Sequence, residues 1–277
     1  MVARTQKEQA ELFRQFHHGP SLLVLPNAWD AASARIFECE GFRAIATTSS
    51  GVAASLGYSD GQHISREMLV DALARITRVV ECPVTADIEA GYTNDMKELS
   101  RTIASVIGLG VVGINLEDSS GSNELVDVDL HAEKIRTVRE TASSYGADLF
   151  INARVDVYLR DVGEPQERFR HTIDRAHAYR AAGADCIFIP SVVDERLIGS
   201  LVKNIPGPIN ILAVANTPPI EVLEKLGVAR VSTGSGPARA CATLTRRIGR
   251  ELLDQGTYSS FTQGAMTYKE MNSLFPQ

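Results

Sequence analysis

The sequence has no apolar run long enough to cross a bilayer, no basic block, no paired cysteines and one tryptophan. Each absence removes a class of protein. A spanning helix needs about 20 consecutive apolar residues, so no membrane partner is expected. The N-terminus, Met1 to Phe16, is polar and amphipathic and lacks the apolar core of a secretory leader, which points to the cytoplasm. With 28 basic against 34 acidic residues, a net charge of −6 and no clustered Lys or Arg, the chain is a poor ligand for nucleic acid. Cys39, Cys82, Cys186 and Cys241 lie far apart with no CxxC pair. Cys82 and Cys186 sit in apolar strand-like runs, as buried thiols do in a reducing compartment.

What is present is a regular alternation. Short β-branched runs occur at Leu22–Pro26, Ala44–Thr48, Val84–Glu89, Gly113–Glu117, Leu149–Ala153, Cys186–Ile189, Ile209–Ala213 and Arg230–Ser232. Helical patterns separate them, clearest at Thr137 to Tyr145 and Arg168 to Ala181. Gly146, Gly183 and Gly227 stand where helices should stop. Eight such units in 277 residues, without a composition break, predict one (β/α)8 TIM-type barrel over 1–277. A doubly wound sheet is the rival, but the first strand ends in Pro26-Asn27-Ala28-Trp29-Asp30, which is no dinucleotide fingerprint. Residues 258–277 follow the eighth helix as a C-terminal extension with a helix-like segment, Phe261 to Leu274, suited to packing on another subunit.

Barrel enzymes carry their chemistry at the C-terminal ends of strands. Asp87 and Glu89, within Ala86-Asp87-Ile88-Glu89-Ala90-Gly91-Tyr92-Thr93, are two apart and would share one side of a strand. Like charges so placed repel unless a cation separates them. Glu117 ends the next apolar run. Three carboxylates at strand ends predict a site for Mg2+ or Mn2+, since Zn2+ would call for His or Cys. None of the six histidines falls at a strand end. No lysine does either, which argues against a Schiff-base aldolase. Arg154 reads as an anion clamp. Ser49, Ser50 and Gly51 read as an oxyanion-binding turn. Together these fit a small α-keto acid.

Plainer readings stand beside these. Asp30 is as well placed to cap a helix as to bind a ligand. Asp118 reads as a solvated loop acid, Asp156 as a partner of Arg154, and Trp29 as packing. Thr233-Gly234-Ser235-Gly236 is either a phosphate loop or a tight turn.

The blocks Leu25–Asp30, Thr48–Asp60, Ala86–Tyr92, Asn115–Asp118 and Asn152–Asp156 resemble, in order and spacing, the isocitrate lyase/phosphoenolpyruvate mutase superfamily, and the match runs from about Leu22 to Arg239. The resemblance implies a barrel that is usually a tetramer (or a dimer) with its C-terminal helical segment exchanged between subunits. It implies Mg2+ held, largely through water, by Asp60, Asp87, Glu89 and Glu117. It implies a substrate that is a 2-oxo or 2-hydroxy acid with a second acidic group, cleaved or formed through a pyruvate-type enolate. Candidate substrate contacts are Trp29, Ser49, Ser50, Gly51, Arg154, Ser191 and Asn216; candidate catalytic residues are Arg154, Asp60 and Asn123.

Departures from the family pattern narrow the reaction. The Lys-x-Cys-Gly-His loop of the isocitrate and methylisocitrate lyases is replaced by Ser119-Ser120-Gly121-Ser122-Asn123-Glu124-Leu125, with no cysteine to act as acid. Ser191 follows Pro190 where those lyases carry a glutamate. Of the Lys, Arg and Asn that phosphonomutases place in this loop, only Asn123 is present. The expectation is a Mg2+-dependent C–C lyase or hydrolase for a dicarboxylate of the oxaloacetate type. The alternatives are a phosphonopyruvate-class mutase or hydrolase, and a keto-acid binding protein without turnover.

Overall fold

The computed structural model describes residues 5–119 and 124–275. Among them no helix is long and apolar enough to cross a membrane. The strands are β1 (Leu23–Leu25), β2 (Asn27–Ala28), β3 (Ile45–Thr47), β4 (Val84–Asp87), β5 (Gly113–Glu117), β6 (Phe150–Arg154), β7 (Cys186–Ile189), β8 (Ile209–Leu212) and β9 (Arg230–Ser232). All pair in parallel, in the order β1-β9-β8-β7-β6-β5-β4-β3-β2. β1 and β2 are one strand interrupted at Pro26. Pro26 has no N–H for the ladder, yet its carbonyl accepts from Ala46 N at 2.9 Å. The chain therefore pairs with β9 before the proline and with β3 after it, closing an eight-stranded barrel.

The helices are α1 (Gln6–Phe16), α2 (Ala31–Cys39), α3 (Ser49–Ser55), α4 (Arg66–Thr77), α5 (Met96–Gly108), α6 (Val128–Ser144), α7 (Arg168–Ala181), α8 (Glu195–Asn204), α9 (Ile220–Lys225), α10 (Gly236–Asp254), α11 (Ser259–Thr262) and α12 (Tyr268–Ser273). α5 shows why they wrap the barrel. Leu99, Ile103, Val106 and Ile107 recur at three- and four-residue spacing and are all buried. At roughly 1.5–3 kcal/mol per buried aliphatic side chain, an acid at Ile103 would strip this helix from the sheet. Gly146, Gly183 and Gly227 follow α6, α7 and α9 with φ of 65°, 110° and 86°, so the expected helix stops are borne out.

The barrel interior is layered. α1 closes the bottom: Phe13 is fully buried with Leu23, Leu25, Val112 and Phe150, and Arg14 pairs with Asp148 and Asp185. Gly113 is required there, because a Cβ would lie 2.9 Å from Phe150 O and 3.2 Å from Phe13 Cε1. The next layer is polar, with Asn115, Asn152, Asn210 and Arg230 all buried. Asn152 donates to Asn115 at 2.7 Å and Arg230 reaches the same oxygen at 3.4 Å.

The C-terminus departs from expectation. The segment expected as one helix over Phe261 to Leu274 forms two short helices, α11 and α12, whose residues are almost all exposed. α10 itself leaves Leu244, Leu252 and Leu253 at 40%, 47% and 88% exposure. The part of the chain without a covered face thus begins well before residue 258.

Candidate active site

Four acids and one arginine meet at the barrel mouth. Asp87 ends β4, where the Thr47 hydroxyl accepts its backbone N–H at 2.9 Å. Its Oδ2 accepts from Ser49 N at 3.0 Å and its Oδ1 from Glu89 N at 3.3 Å. Glu89 is not on the strand, as its two-residue spacing from Asp87 suggested. β4 stops at Asp87, and Glu89 sits in a turn with φ 51°. Gly91 and Tyr92 also have positive φ, at 91° and 63°. The turn carries the Glu89 carboxylate to the loop after α3, where Oε2 accepts from Gly61 N (3.1 Å) and Gln62 N (2.6 Å), while Oε1 accepts from Tyr92 OH (2.9 Å).

Glu117 ends β5. Its Oε1 accepts from Ser119 Oγ at 2.8 Å, and its Oε2 lies 2.5 Å from Arg154 Nη1. Arg154 ends β6 and forks onto Asp156 through Nε (2.6 Å) and Nη2 (2.9 Å). The pairing of Asp156 with Arg154 is thus as read from sequence. Asp60 reaches the group from the loop after α3 and remains exposed.

The carboxyl groups sense one another. Burial and then Asp87 push Glu89 up to about 7, with the Tyr92 hydroxyl pulling the other way. Desolvation and Asp87 raise Asp60, opposed by a Ser49 side-chain hydrogen bond. Burial raises Glu117 against the pull of Arg154. Burial works against the Arg154 charge, but Glu117 and Asp156 outweigh it and hold the guanidinium above its usual value. The donor set is all oxygen and its excess charge is negative, which fits a hard divalent cation. Among the described residues no three His, Cys, Asp or Glu side chains converge on one point. The residues that would hold such an ion are Asp60, Asp87, Glu89 and Glu117.

The remaining candidates separate. Ser49, Ser50 and Gly51 are the first turn of α3 rather than a free turn. The Ser49 amide is committed to Asp87, whereas the amides of Ser50 and Gly51 have no carbonyl of their own helix to donate to. A Cβ at Gly51 would lie 2.7 Å from Trp29 Cβ, so Trp29 packs against this turn. Ser191 and Asn216 follow β7 and β8 with φ of 66° and 68° and are exposed. Neither joins the acid–arginine network among the described residues. Asn123 lies outside the described residues.

Asp30 is a helix N-cap, with its Oδ1 2.7 Å from Ser33 N in a capping box. In Thr233-Gly234 both amides donate to Asn27 Oδ1 at 2.9 Å, so the tight-turn reading is the one observed. Asp118 is not a solvated loop acid. It is fully buried and accepts from Asp156 N (2.9 Å), Tyr179 OH (2.8 Å) and Arg175 Nη1 (3.1 Å). Burial pushes its carboxyl up to about 6. Its own carbonyl accepts from Val126 N at 2.7 Å, pinching the base of the following loop. Inspection of strand ends also missed Gln62, Tyr92 and Lys134, whose amine is buried and donates to Ala90 O at 2.9 Å. Lys134 starts from a helix, so only the fold brings it to the turn.

Comparison with known proteins supplies relatives for the chain as a whole. A model of the family described as phosphoenolpyruvate phosphomutase matches residues 13–253. A 2-methylisocitrate lyase of Halalkalibacterium halodurans is 25% identical over 280 residues, covering 97% of this chain and 90% of that protein. A protein of Burkholderia cenocepacia J2315, provisionally called a phosphonomutase, has a structure that superposes with a TM-score of 0.83 at 40% identity, covering 87% of this chain and 99% of its own. An oxaloacetate acetylhydrolase, solved with the inhibitor 3,3-difluorooxalacetate, superposes with a TM-score of 0.86 at 23% identity, covering 98% of this chain and 93% of that one, a likeness of fold.

Proposed function

The chain belongs to the phosphoenolpyruvate phosphomutase family, a family of lyases and mutases, and from that premise we propose that it is a divalent-metal-dependent enzyme cleaving a C–C bond in a small 2-oxo or 2-hydroxy dicarboxylate of the oxaloacetate type. The observation that carries this reading is the pairing of a mutually repelling acid group with a half-buried guanidinium that is only partly used. Arg154 has five N–H donors. Two go to Asp156 and one faces Glu117, leaving one on each terminal nitrogen for a substrate carboxylate.

Asp60, Asp87, Glu89 and Glu117 would hold a Mg2+ or Mn2+ ion, which would supply Lewis-acid stabilisation of charge on the substrate oxygens, worth several kcal/mol. The protein supplies the rest. Arg154 orients the carboxylate in two-point fashion. The amides of Ser50 and Gly51 face developing negative charge at the start of α3. Asp87, held by Ser49 N and Thr47, fixes the distance between that turn and the acids. Trp29 stiffens the turn from behind. Charge on Arg154 is secured by Glu117 and Asp156, so it stays a donor throughout the working pH range. The exposed apolar face of α10 and the tail is covered by a further copy of the chain, giving a tetramer or dimer.

Cleavage of a P–C bond in a phosphonopyruvate-type substrate is the second reading, favoured by the provisional name of the Burkholderia protein. One experiment separates the two. Purified protein is supplied with Mg2+ and either oxaloacetate or phosphonopyruvate, followed by proton and phosphorus NMR. Loss of oxaloacetate beyond its spontaneous decay, abolished in Asp87→Ala, is expected. Turnover of phosphonopyruvate alone would replace the first reading with the second. Calorimetric binding of 3,3-difluorooxaloacetate without turnover of either compound would make the chain a keto-acid binding protein.

A further inference from the structure

Four residues with left-handed backbone meet beside the acids: Gln62 (φ 60°), Glu89 (φ 51°), Gly91 (φ 91°) and Tyr92 (φ 63°). Three of them are not glycine, and side chains with a Cβ rarely adopt this backbone. Such strain persists only where surrounding contacts over-determine it. The contacts here form a closed ring between two segments that are far apart in sequence. The backbone N–H of Gln62 donates to Glu89 Oε2 at 2.6 Å. The Gln62 side-chain oxygen accepts from Tyr92 N at 2.6 Å. The Tyr92 hydroxyl donates to Glu89 Oε1 at 2.9 Å. The backbone of the turn is tied twice more, by Glu117 N on Glu89 O (3.0 Å) and by Lys134 Nζ on Ala90 O (2.9 Å).

The chemistry of the ring fixes its sense. An amide N–H can only donate, so the Gln62 atom facing Tyr92 N is the carbonyl oxygen. A carboxylate can only accept, so each Glu89 oxygen is met by donors, with Oε1 keeping a free lone pair. Gln62 and Tyr92 each use both backbone and side chain, and Gln62 is the member on the Asp60 side of the ring. It lies two residues after Asp60, so the ring joins the loop bearing Asp60 to the turn bearing Glu89.

We propose that Gln62 is a positioning residue: its side-chain oxygen locks the Glu89–Tyr92 turn to the Asp60 loop, setting the spacing of the two acids for a divalent cation. The metal part of this statement rests on the reading under "Proposed function". The lock itself does not.

The test uses full-length protein and the variants Gln62→Met, which keeps length and removes the acceptor, and Gln62→Glu, which restores an oxygen. Tyr92→Phe removes only the phenol. Mn2+ binding is followed by the electron paramagnetic resonance of the free ion. Amide hydrogen exchange is followed in the peptide spanning residues 88–95. Gln62→Met is expected to bind Mn2+ at least about tenfold more weakly, the usual effect of losing an outer-shell partner, and to exchange faster in that peptide. Gln62→Glu returns both towards wild type, and Tyr92→Phe weakens Mn2+ binding while the backbone amide at position 92 stays protected.

A Gln62→Met protein that keeps wild-type Mn2+ affinity and exchange overturns the proposal. So does a Gln62→Glu protein that exchanges as fast as Gln62→Met, because a merely structural loss of packing would not distinguish the two. If wild type binds no Mn2+, the metal reading of the site falls. The exchange pattern alone then decides whether the lock exists.

Discussion

Replacing Arg154 with lysine keeps a positive charge at the mouth and removes the fork. The guanidinium spans Asp156 and Glu117 at 2.5–2.9 Å and still has two N–H groups to offer. A lysine ammonium has three donors on a single nitrogen and cannot reach both acids while presenting a planar pair. Two charge-assisted hydrogen bonds to the substrate are therefore lost, each worth about 1.5–3 kcal/mol. The sum is about 3–6 kcal/mol, or a fall of about 10²–10⁴ in kcat/KM. A carboxylate gripped before the reaction is gripped equally in the transition state, so KM rises more than kcat falls. Asp156, whose side chain is fully buried, also loses its partner, so rates are compared well below the lowered unfolding midpoint. The assay is initial rate against oxaloacetate concentration with Mg2+, beside calorimetric titration of 3,3-difluorooxaloacetate. Arg154→Lys with affinity and turnover within about threefold of wild type would refute the clamp.

Three further expectations follow from the same geometry. His131 is fully buried beside Tyr179, and burial, then Lys134 and Arg175, push it down to about 3. The folded value lies below the unfolded value of 6.5, so the unfolded chain binds a proton that the folded one refuses. Stability is complete above pH 6.5 and declines as pH falls towards 3. Denaturant unfolding between pH 6.5 and 4 should show His131→Phe losing about 1.4 kcal/mol less per pH unit than wild type. Asp30→Ala removes a capping box and should reduce stability by about 1 kcal/mol while leaving substrate affinity unchanged; an altered affinity would return Asp30 to the ligand set. Leu253→Asp places a charge on a side chain that is 88% exposed in the single chain, and light scattering should find a smaller assembly than wild type, whereas an unchanged mass would move the interface elsewhere.

Much of the barrel was legible because short runs centred on branched apolar residues alternate with helical patterns along the chain. Gly113–Glu117, Cys186–Ile189 and Arg230–Ser232 match the observed strands residue for residue. The break at Pro26 was not legible: a proline at a strand end reads as a stop, and only the facing β3 shows that pairing resumes beyond it. The roles of Asp118 and Lys134 were hidden for a different reason. Charged residues read as solvated until the partners that bury them are known, and Arg175 and Tyr179 are more than fifty residues from Asp118 in the chain. Glu89 was placed in the right neighbourhood by the wrong geometry. The strand-side argument fails at a positive φ, which no alternation pattern encodes. The acids, Arg154 and the Ser49 turn could be singled out as candidates because strand ends in a barrel are a short list.

α1 caps a barrel whose interior is already filled by side chains. Phe13 and the aromatic ring of Phe150 seal its lower end, so a molecule that reaches the acids enters and departs through one opening. Emptying and filling then compete for the same doorway. Under the proposed clamp role of Arg154, a product with an acidic group would be the first rival of the next substrate.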